Sequence, residues 1–149
     1  MGQYAQARAH LERALALRRE LGKDHLALES LAGLARLALA TGDLARALAH
    51  VEEILAALET HTLDGTDEPL RVYLTCVQVL AANDDPRAPA VLDAAHTLLQ
   101  TRAARIHDDS LRQTFLHDVP EHRELLERYR AVFNAEAPRR KEKKTRDAD

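Results

Sequence analysis

The sequence predicts an all-α protein assembled from repeated antiparallel helix pairs, and three observations support this fold class. Apolar residues make up 46% of the chain and are mostly Leu and Ala, while Gly and Pro number only five each; Leu and Ala are strong helix formers. Apolar residues also recur with helical periodicity along most of the chain. Finally, the stretch GQYAQARAHLERALAL at Gly2 returns 40 residues later as GDLARALAHVEEILAA at Gly42. A helical unit repeated at this spacing predicts an α-solenoid, in which each unit buries its apolar face on the next.

Three helices are predicted in the first 60 residues, at about 3–21, 25–40 and 44–59. Gly22 and Gly42 are predicted to end the first two, because glycine tolerates the left-handed conformation common at helix C-termini. Asp24 and Asp43 are predicted to cap the helices that follow, because a carboxylate accepts hydrogen bonds from free backbone N–H groups.

Four more helices are predicted after the polar loop from Thr60 to Pro69, at about 69–82, 87–106, 110–117 and 121–134. Pro69 and Pro89 fall in first turns, where proline is tolerated. The remaining residues, 135–149, are charged and lack an apolar period, which predicts a disordered tail. We therefore expect one helical repeat domain over 1–134, with an unpaired helix 3–21, repeats 25–59 and 69–106, and cap helices within 110–134.

The stretch LESLAGLARLALATGDLARALAHVEEIL, from Leu28 to Leu55, resembles the tetratricopeptide repeat family. The matching positions are Leu31, Leu34, Ala35, Ala38, Gly42, Ala47, Val51 and Ile54. The first copy, from Gly2, matches only the second helix of the family unit. A third copy fits 70–106 more loosely, because Asp84 replaces the turn glycine and Pro89 replaces the small residue of the second helix.

This resemblance implies an α-solenoid of about two and a half units with C-terminal capping helices. The 40-residue spacing exceeds the 34 residues of the standard unit. It is similar to the long-repeat variety found in C-terminal arrays of large bacterial transcriptional and signalling regulators. The resemblance therefore implies a non-catalytic, cytoplasmic scaffold or sensor that binds a protein or peptide partner.

In this family the first helices of successive units line a concave groove that holds the partner's peptide. Projected onto this chain, the groove residues are Glu29, Ala32, Arg36, Leu39, Arg71, Leu74 and Gln78. Arg36 and Arg71 are suited to pair with a carboxylate or phosphate of the partner, because arginine presents a fork of N–H donors.

The first helix has no partner helix before it, so we expect either preceding sequence or a second chain to cover its apolar face. That face is predicted to comprise Tyr4, Ala7, Leu11 and Leu15. Because an uncovered apolar face favours association, a homo-oligomer formed through this helix is an alternative function.

Charge and composition argue against several other classes of protein. A net charge of −3 does not favour a global electrostatic binder of nucleic acid or membrane. No apolar stretch approaches the roughly 20 residues of a membrane-spanning helix, and no signal peptide is visible. The basic run RRKEKKTR from Arg139 is interpreted as a solvated tail in preference to a phosphate-binding segment.

No motif predicts an enzyme, a cofactor site or a metal site. Cys76, the single cysteine, lies in an apolar helix and is interpreted as a small core residue. Among the eight histidines, His117 and His122 are the closest cluster, but their spacing across Pro120 is not the i, i+4 pattern of helical zinc ligands. A helical metal binder that uses His107, His117 and His122 remains as the less favoured alternative.

Overall fold

The computed structural model describes residues 2–134, and these residues form seven helices and no strand. The helices are α1 (Gly2–Glu20), α2 (Asp24–Ala40), α3 (Leu44–Leu58), α4 (Pro69–Ala82), α5 (Ala88–Ala104), α6 (Asp109–His117) and α7 (Pro120–Phe133). They lie within two residues of the predicted positions. The predicted disordered tail, 135–149, lies outside the described residues. The chain divides into two compact units; the first ends at Val91 and the second begins at Leu92, within α5.

The helices α1, α2 and α4 end in the same kind of left-handed turn. Gly22 has φ +66°, Gly42 has φ +79°, and Asp84 has φ +51°. In each turn the next N–H donates to the carbonyl five residues earlier, at 2.8 to 2.9 Å, as in a Schellman motif. Aspartate is among the few residues that tolerate this conformation. The replacement of the turn glycine by Asp84 therefore leaves the turn unchanged.

Two helix starts are capped by aspartate, and of the two predicted caps, Asp43 is confirmed and Asp24 is wrong. The Asp43 carboxylate accepts from the Arg46 N–H at 3.1 Å, as predicted, and Asp108 accepts from the Leu111 N–H at 2.9 Å. Asp24, in contrast, is already the first residue of α2, and Lys23 takes the cap position without a side-chain hydrogen bond. The tight turn at Gly22 brings the helix start forward by one residue. Asp24 still suits the first turn, where a negative charge is favoured by the helix dipole.

In the first unit, α2 lies at the centre of the packing. It packs against α1, α3 and α4, and α3 also packs against α4. The buried apolar cluster draws many residues from α2 and α4, three from α3, and only Leu15 from α1. The α4 sequence is apolar on nearly every side, and nine of its residues are buried, as expected of a helix surrounded by protein.

The second unit has its own buried apolar residues and aromatic contacts. The buried residues are Leu92, Ala95, Leu99 and Ala103 of α5, Leu116 of α6, and Leu125 and Leu126 of α7. α6 packs against α7, and the His96 ring stacks on the Tyr129 ring with centroids 3.6 Å apart. These contacts hold the part of α5 after Leu92 beside α7.

Candidate partner-binding site

A cavity of about 230 Å³ opens between α1, α2 and the first turn of α4. Its polar lining consists of Arg18, Glu29, Ser30, Arg36, Glu68 and Arg71. Its apolar lining consists of Leu11, Ala14, Ala32 and Val72. We call this cavity the arginine pocket, because three helices each contribute one arginine to it.

Arg18 is held in the pocket wall by hydrogen bonds that run from α1 to α2. Its Nη1 donates to the Leu26 carbonyl and to the Ser30 hydroxyl, both at 2.8 Å. Ser30 is only 1% exposed, so its hydroxyl is a fixed acceptor. The Glu29 carboxylate lies 4.0 Å from the same nitrogen. The guanidinium is therefore fixed mainly by neutral oxygens, with a carboxylate at longer range.

Arg36 is held by a buried hydroxyl on α4. Its Nη1 donates to Thr75 Oγ1 at 2.9 Å, and that hydroxyl donates to the Arg71 carbonyl at 2.8 Å. Thr75 is 1% exposed. Because a buried hydroxyl is costly to leave without a partner, this chain of bonds restrains Arg36 and joins α2 to α4.

The third arginine, Arg71, is exposed and lies in the first turn of α4. Its Nη1 lies 3.0 Å from Glu68 Oε2. The other acid of the pocket, Glu29, accepts a hydrogen bond from the Asp67 N–H at 2.8 Å. Three arginines and two glutamates give this lining a formal charge of +1. The N-terminus of α4, which carries partial positive charge, borders the same cavity.

The structure brings together four of the seven predicted groove residues in the arginine pocket, namely Glu29, Ala32, Arg36 and Arg71. The other three do not line it. Leu39 packs against the core cluster, Gln78 is half-buried, and Leu74 is 6% exposed. Leu74 is therefore a buried residue and not part of an open groove surface.

Arg18 and Ser30 are pocket residues that the sequence analysis missed. Arg18 lies three residues after Leu15 and seven after Leu11, so it falls on the packing face of α1. A search that considers only the spacing of apolar residues does not identify such an arginine. The available signal was an arginine at a core-facing helical position, which needs acceptors nearby when it is partly buried.

The predicted self-association face on α1 is largely used within the chain. Leu15 is buried in the core, Leu11 packs against that core and lines the pocket, and Ala7 is half-buried. Tyr4 alone of the four is exposed, at 50%. These placements leave little continuous apolar surface at the predicted positions.

A second cavity of about 270 Å³ lies between the C-terminal ends of α1 and α3 and the start of α2. Its apolar lining is Ala27, Leu28, Leu31 and Ala57. At its rim Arg19 pairs with Glu53 at 2.8 Å, and His61 lies 4.0 Å from Asp24. This cavity is lined by one arginine and two acidic residues, so it lacks the net positive charge of the arginine pocket.

The structure also places the other residues considered for chemistry. Cys76 is fully buried, as predicted, and burial raises the pKa of its thiol to about 12, which keeps it protonated at neutral pH. His122 Nδ1 lies 2.6 Å from the Phe115 carbonyl oxygen. Within residues 2–134, no three His, Cys, Asp or Glu side chains are grouped closely enough to hold a metal ion. No helix in the same range is long and apolar enough to cross a bilayer.

The described residues form an all-α fold of repeated helix pairs, and a comparison with known families supports this fold class. Residues 1–60 match the family model described as tetratricopeptide repeat. The match covers α1, α2 and α3. With the helices described above, it shows a tetratricopeptide-like helical repeat fold. No curated protein and no solved structure was found to match the chain.

Proposed function

We propose that this chain is a non-catalytic interaction module that binds an extended segment of a partner protein over the surface containing the arginine pocket. Tetratricopeptide repeats generally mediate protein–protein interaction, and residues 1–60 match that family. The observation that supports the proposal most directly is the pocket itself, where Arg36 and Arg71 of successive first helices meet beside an open cavity.

The test is a comparison of two double variants with equal charge change. Arg36→Glu with Arg71→Glu reverses two pocket charges, and Arg13→Glu with Arg105→Glu reverses two exposed charges that do not line the pocket. Each protein is used for affinity capture from the source cells. The captured partner is then purified and titrated by calorimetry against all three proteins.

We expect the pocket variant to bind the purified partner at least tenfold more weakly, because charge reversal replaces attraction with repulsion. The control variant is expected to match the wild type. Circular dichroism and urea unfolding check that both variants fold. Arg36→Gln with Arg71→Gln serves if charge reversal prevents folding. Equal binding by the pocket variant would remove the pocket from the proposed function.

The proposed cellular context is a regulatory one. We propose that the chain acts in the cytoplasm as the C-terminal tetratricopeptide segment of a larger bacterial regulator. The 40-residue spacing between Gly2 and Gly42 supports this, because it is similar to the long-repeat arrays of such regulators. The intact mass of the native product and the DNA upstream of Met1 test it. A larger product with an ATPase, cyclase or DNA-binding module is expected, and a native product that starts at Met1 would contradict the proposal.

A further inference from the structure

We propose that the second cavity, which lies between the C-terminal ends of α1 and α3 and the start of α2, binds a lysine side chain of a partner protein. The aliphatic stem of that lysine lies on the apolar floor of the cavity, and its ammonium group pairs with the Asp24 carboxylate at the rim. None of the described residues lines both this cavity and the arginine pocket. The two contact surfaces are therefore separate, and either can exist without the other.

The floor of the second cavity is apolar and is formed by well-packed side chains. Ala27, Leu28 and Leu31 of α2 are only 4–5% exposed. Ala57 of α3 is half-buried and packs against the same core cluster. Because the core holds these side chains in place, the floor is present before a ligand binds, and methylene groups that cover it are removed from water at little conformational cost.

The rim of the cavity carries two carboxylates, which differ in how closely a cation approaches them. Glu53 of α3 pairs with Arg19 of α1 at 2.8 Å. The nearest basic group recorded for Asp24 is His61, whose Nε2 lies 4.0 Å from Asp24 Oδ2, a separation longer than a hydrogen bond. The Asp24 side chain is also 67% exposed. Asp24 is therefore the rim carboxylate that can accept a cation without displacing an arginine.

The spacing of Asp24 and the floor fits a lysine side chain. Asp24, Leu28 and Leu31 are four and three residues apart in α2, so they lie along one face of the helix. One helical turn rises about 5.4 Å, which is comparable with the reach of the four-carbon lysine stem. A lysine that lies along this face contacts Leu28 with its stem while its ammonium reaches Asp24. Lysine commonly buries its stem on apolar surface in this way and keeps its charge in water.

The charge of the rim favours a cation over an acidic or an uncharged side chain. Arg19 contributes one positive charge and Asp24 and Glu53 two negative charges, which leaves a formal charge of −1 with His61 neutral. A glutamate would be repelled by this rim, and a leucine would cover the floor without gaining an ion pair. An arginine would place a shorter aliphatic stem on the floor than a lysine does.

The size of the cavity favours one side chain of a protein over a free small molecule. Its volume is about 270 Å³, whereas pockets for small-molecule ligands span roughly 300–1,000 Å³. A lysine held by a partner also brings its neighbouring residues onto the exposed side chains of the rim. A partner protein is therefore the source of the ammonium group that we propose.

The first experiment places chemical probes in the cavity by disulfide exchange on the full chain. Thr60 lines the cavity and is exposed, so Thr60→Cys can form a mixed disulfide, whereas Cys76 is buried. Four thiols are compared: 4-aminobutanethiol, which reproduces the lysine side chain, 3-guanidinopropanethiol, pentane-1-thiol and 5-mercaptopentanoate. Each is equilibrated against 2-mercaptoethanol, and intact-mass spectrometry gives the equilibrium constant of each mixed disulfide. The control anchor is Arg13→Cys, at an exposed position outside the cavity.

We expect 4-aminobutanethiol to be preferred over pentane-1-thiol about three- to fivefold at Thr60→Cys, because exposed ion pairs contribute modestly, and not at Arg13→Cys. Adding Asp24→Asn is expected to reduce this preference to about one. Glu20→Gln removes an equal charge from an exposed position that does not line the cavity, and it is expected to leave the preference unchanged. Circular dichroism and urea unfolding check that each variant folds.

The second experiment identifies the source of the ammonium group. The wild-type chain is treated with a water-soluble carbodiimide in an extract of the source cells, so that a carboxylate and an adjacent amine form an amide. Peptide mapping then examines Asp24 and the control Asp64, which is exposed and does not line the cavity. We expect an amide between Asp24 and a lysine of another protein, at several times the yield found at Asp64.

Every other outcome overturns the proposal. Equal constants for the four thiols, or a preference for the guanidinium, neutral or acidic probe, would show that the cavity does not select an ammonium group. A preference that survives Asp24→Asn, or that falls equally with Glu20→Gln, would mean that Asp24 is not the contact. A small amine on Asp24 would replace the partner protein by a free ligand, and equal or absent amide at Asp24 would remove the lysine contact. None of these results involves the arginine pocket, so the proposed function would be unaffected.

Discussion

The helices α1 and α3 are two copies of one sequence pattern in two different environments. Gly2 and Gly42, and the apolar positions that follow them, are offset by 40 residues. α3 packs against both α2 and α4, whereas α1 packs against α2 and reaches α3 through the Arg19–Glu53 ion pair. In α3 the side chains of Ala47, Val51 and Ile54 are completely buried. Their counterparts in α1, which are Ala7, Leu11 and Ala14, are half-buried.

The less covered copy is also the one that contributes to the candidate site. Leu11 and Ala14 line the arginine pocket, while Val51 and Ile54 at the same repeat positions are closed off in the core. The pattern of apolar residues therefore specifies a helix and its packing stripe. Whether that stripe becomes core or pocket wall depends on how many neighbours the helix has.

The largest expected effect is the loss of a core side chain from α3. Ile54→Ala is expected to reduce the free energy of unfolding by about 2–5 kcal/mol, because Ile54 is fully buried and truncation leaves a cavity. The matched control is Leu17→Ala in α1, where the side chain is 56% exposed, and its expected loss is below about 0.5 kcal/mol. Urea unfolding measures both. A similar loss at Leu17 would mean that this side chain is covered in solution.

The next effect tests the close approach of α1 and α2. A Cβ added at Gly33 would lie 2.8 Å from Leu11 Cδ2, so Gly33→Ala must displace the tip of Leu11. This cost opposes the gain of about 1 kcal/mol from replacing glycine within a helix, and we expect little net change. Leu11→Ala is expected to cost about 1–2 kcal/mol, because Leu11 is only half-buried.

Combining the two substitutions isolates the contact. In the Leu11→Ala background the obstruction is gone, so Gly33→Ala is expected to stabilise the protein by about 0.5–1 kcal/mol. Leu17→Ala, which removes an exposed side chain, is the control and should be additive with Gly33→Ala. Additivity of the Leu11 pair in urea unfolding would argue against the observed contact.

Most of the fold was predictable, because helix boundaries depend on local chemistry. Gly22, Gly42, Asp43 and Pro69 each act within one turn of their own position, and the structure places helix ends where they predict. Asp84 was read as a departure from the repeat pattern, yet it has φ +51° and makes the same turn. Aspartate tolerates a positive φ, so the turn forms although this residue is not glycine.

The candidate site was only partly predictable, because it depends on contacts between helices. Arg36 and Arg71 were predicted as groove residues by projecting a repeat pattern, and both line the arginine pocket. The burial of Leu74 depends on tertiary packing around α4. The role of Arg18 of α1 depends on the positions of Leu26 and Ser30 in α2, to which it donates hydrogen bonds. No spacing within one helix contains that information.

A smaller effect is expected at an exposed position of α1 and its counterpart in α3. Leu17→Lys is expected to change stability by less than about 0.5 kcal/mol, because Leu17 is 56% exposed and a lysine is easily solvated there. Ala57→Lys, at the same repeat position in α3, is expected to cost about 1 kcal/mol, because Ala57 packs against the core cluster and a larger side chain must be accommodated. Thermal unfolding of both variants checks the order. A greater loss at Leu17 would indicate that α1 is covered in solution, which light scattering would then test as self-association.

The smallest expected effect concerns the pH dependence of stability at His50 of α3. Burial lowers the pKa of His50 below its usual value, an effect only partly offset by Glu53 and Glu12 and reinforced by Arg46 and Arg8. Its Nδ1 is also buried without a hydrogen-bond partner within the described residues. The folded protein therefore favours the neutral ring, and the unfolded chain takes up the proton first as the pH falls.

The sign of the effect follows from this difference in proton binding. Just below pH 6.5 the unfolded state binds more protons at this residue than the folded state does, so acidification lowers the free energy of unfolding. The contribution of neutral His50 is complete above pH 6.5 and is lost as the pH falls through the lower folded-state value. We expect His50→Gln to lose less stability than the wild type between pH 7 and pH 5 in urea unfolding. His10→Gln is the matched control, because His10 occupies the same repeat position but is exposed in α1. An equal change in the pH dependence of both variants would contradict a specific effect of burial at His50.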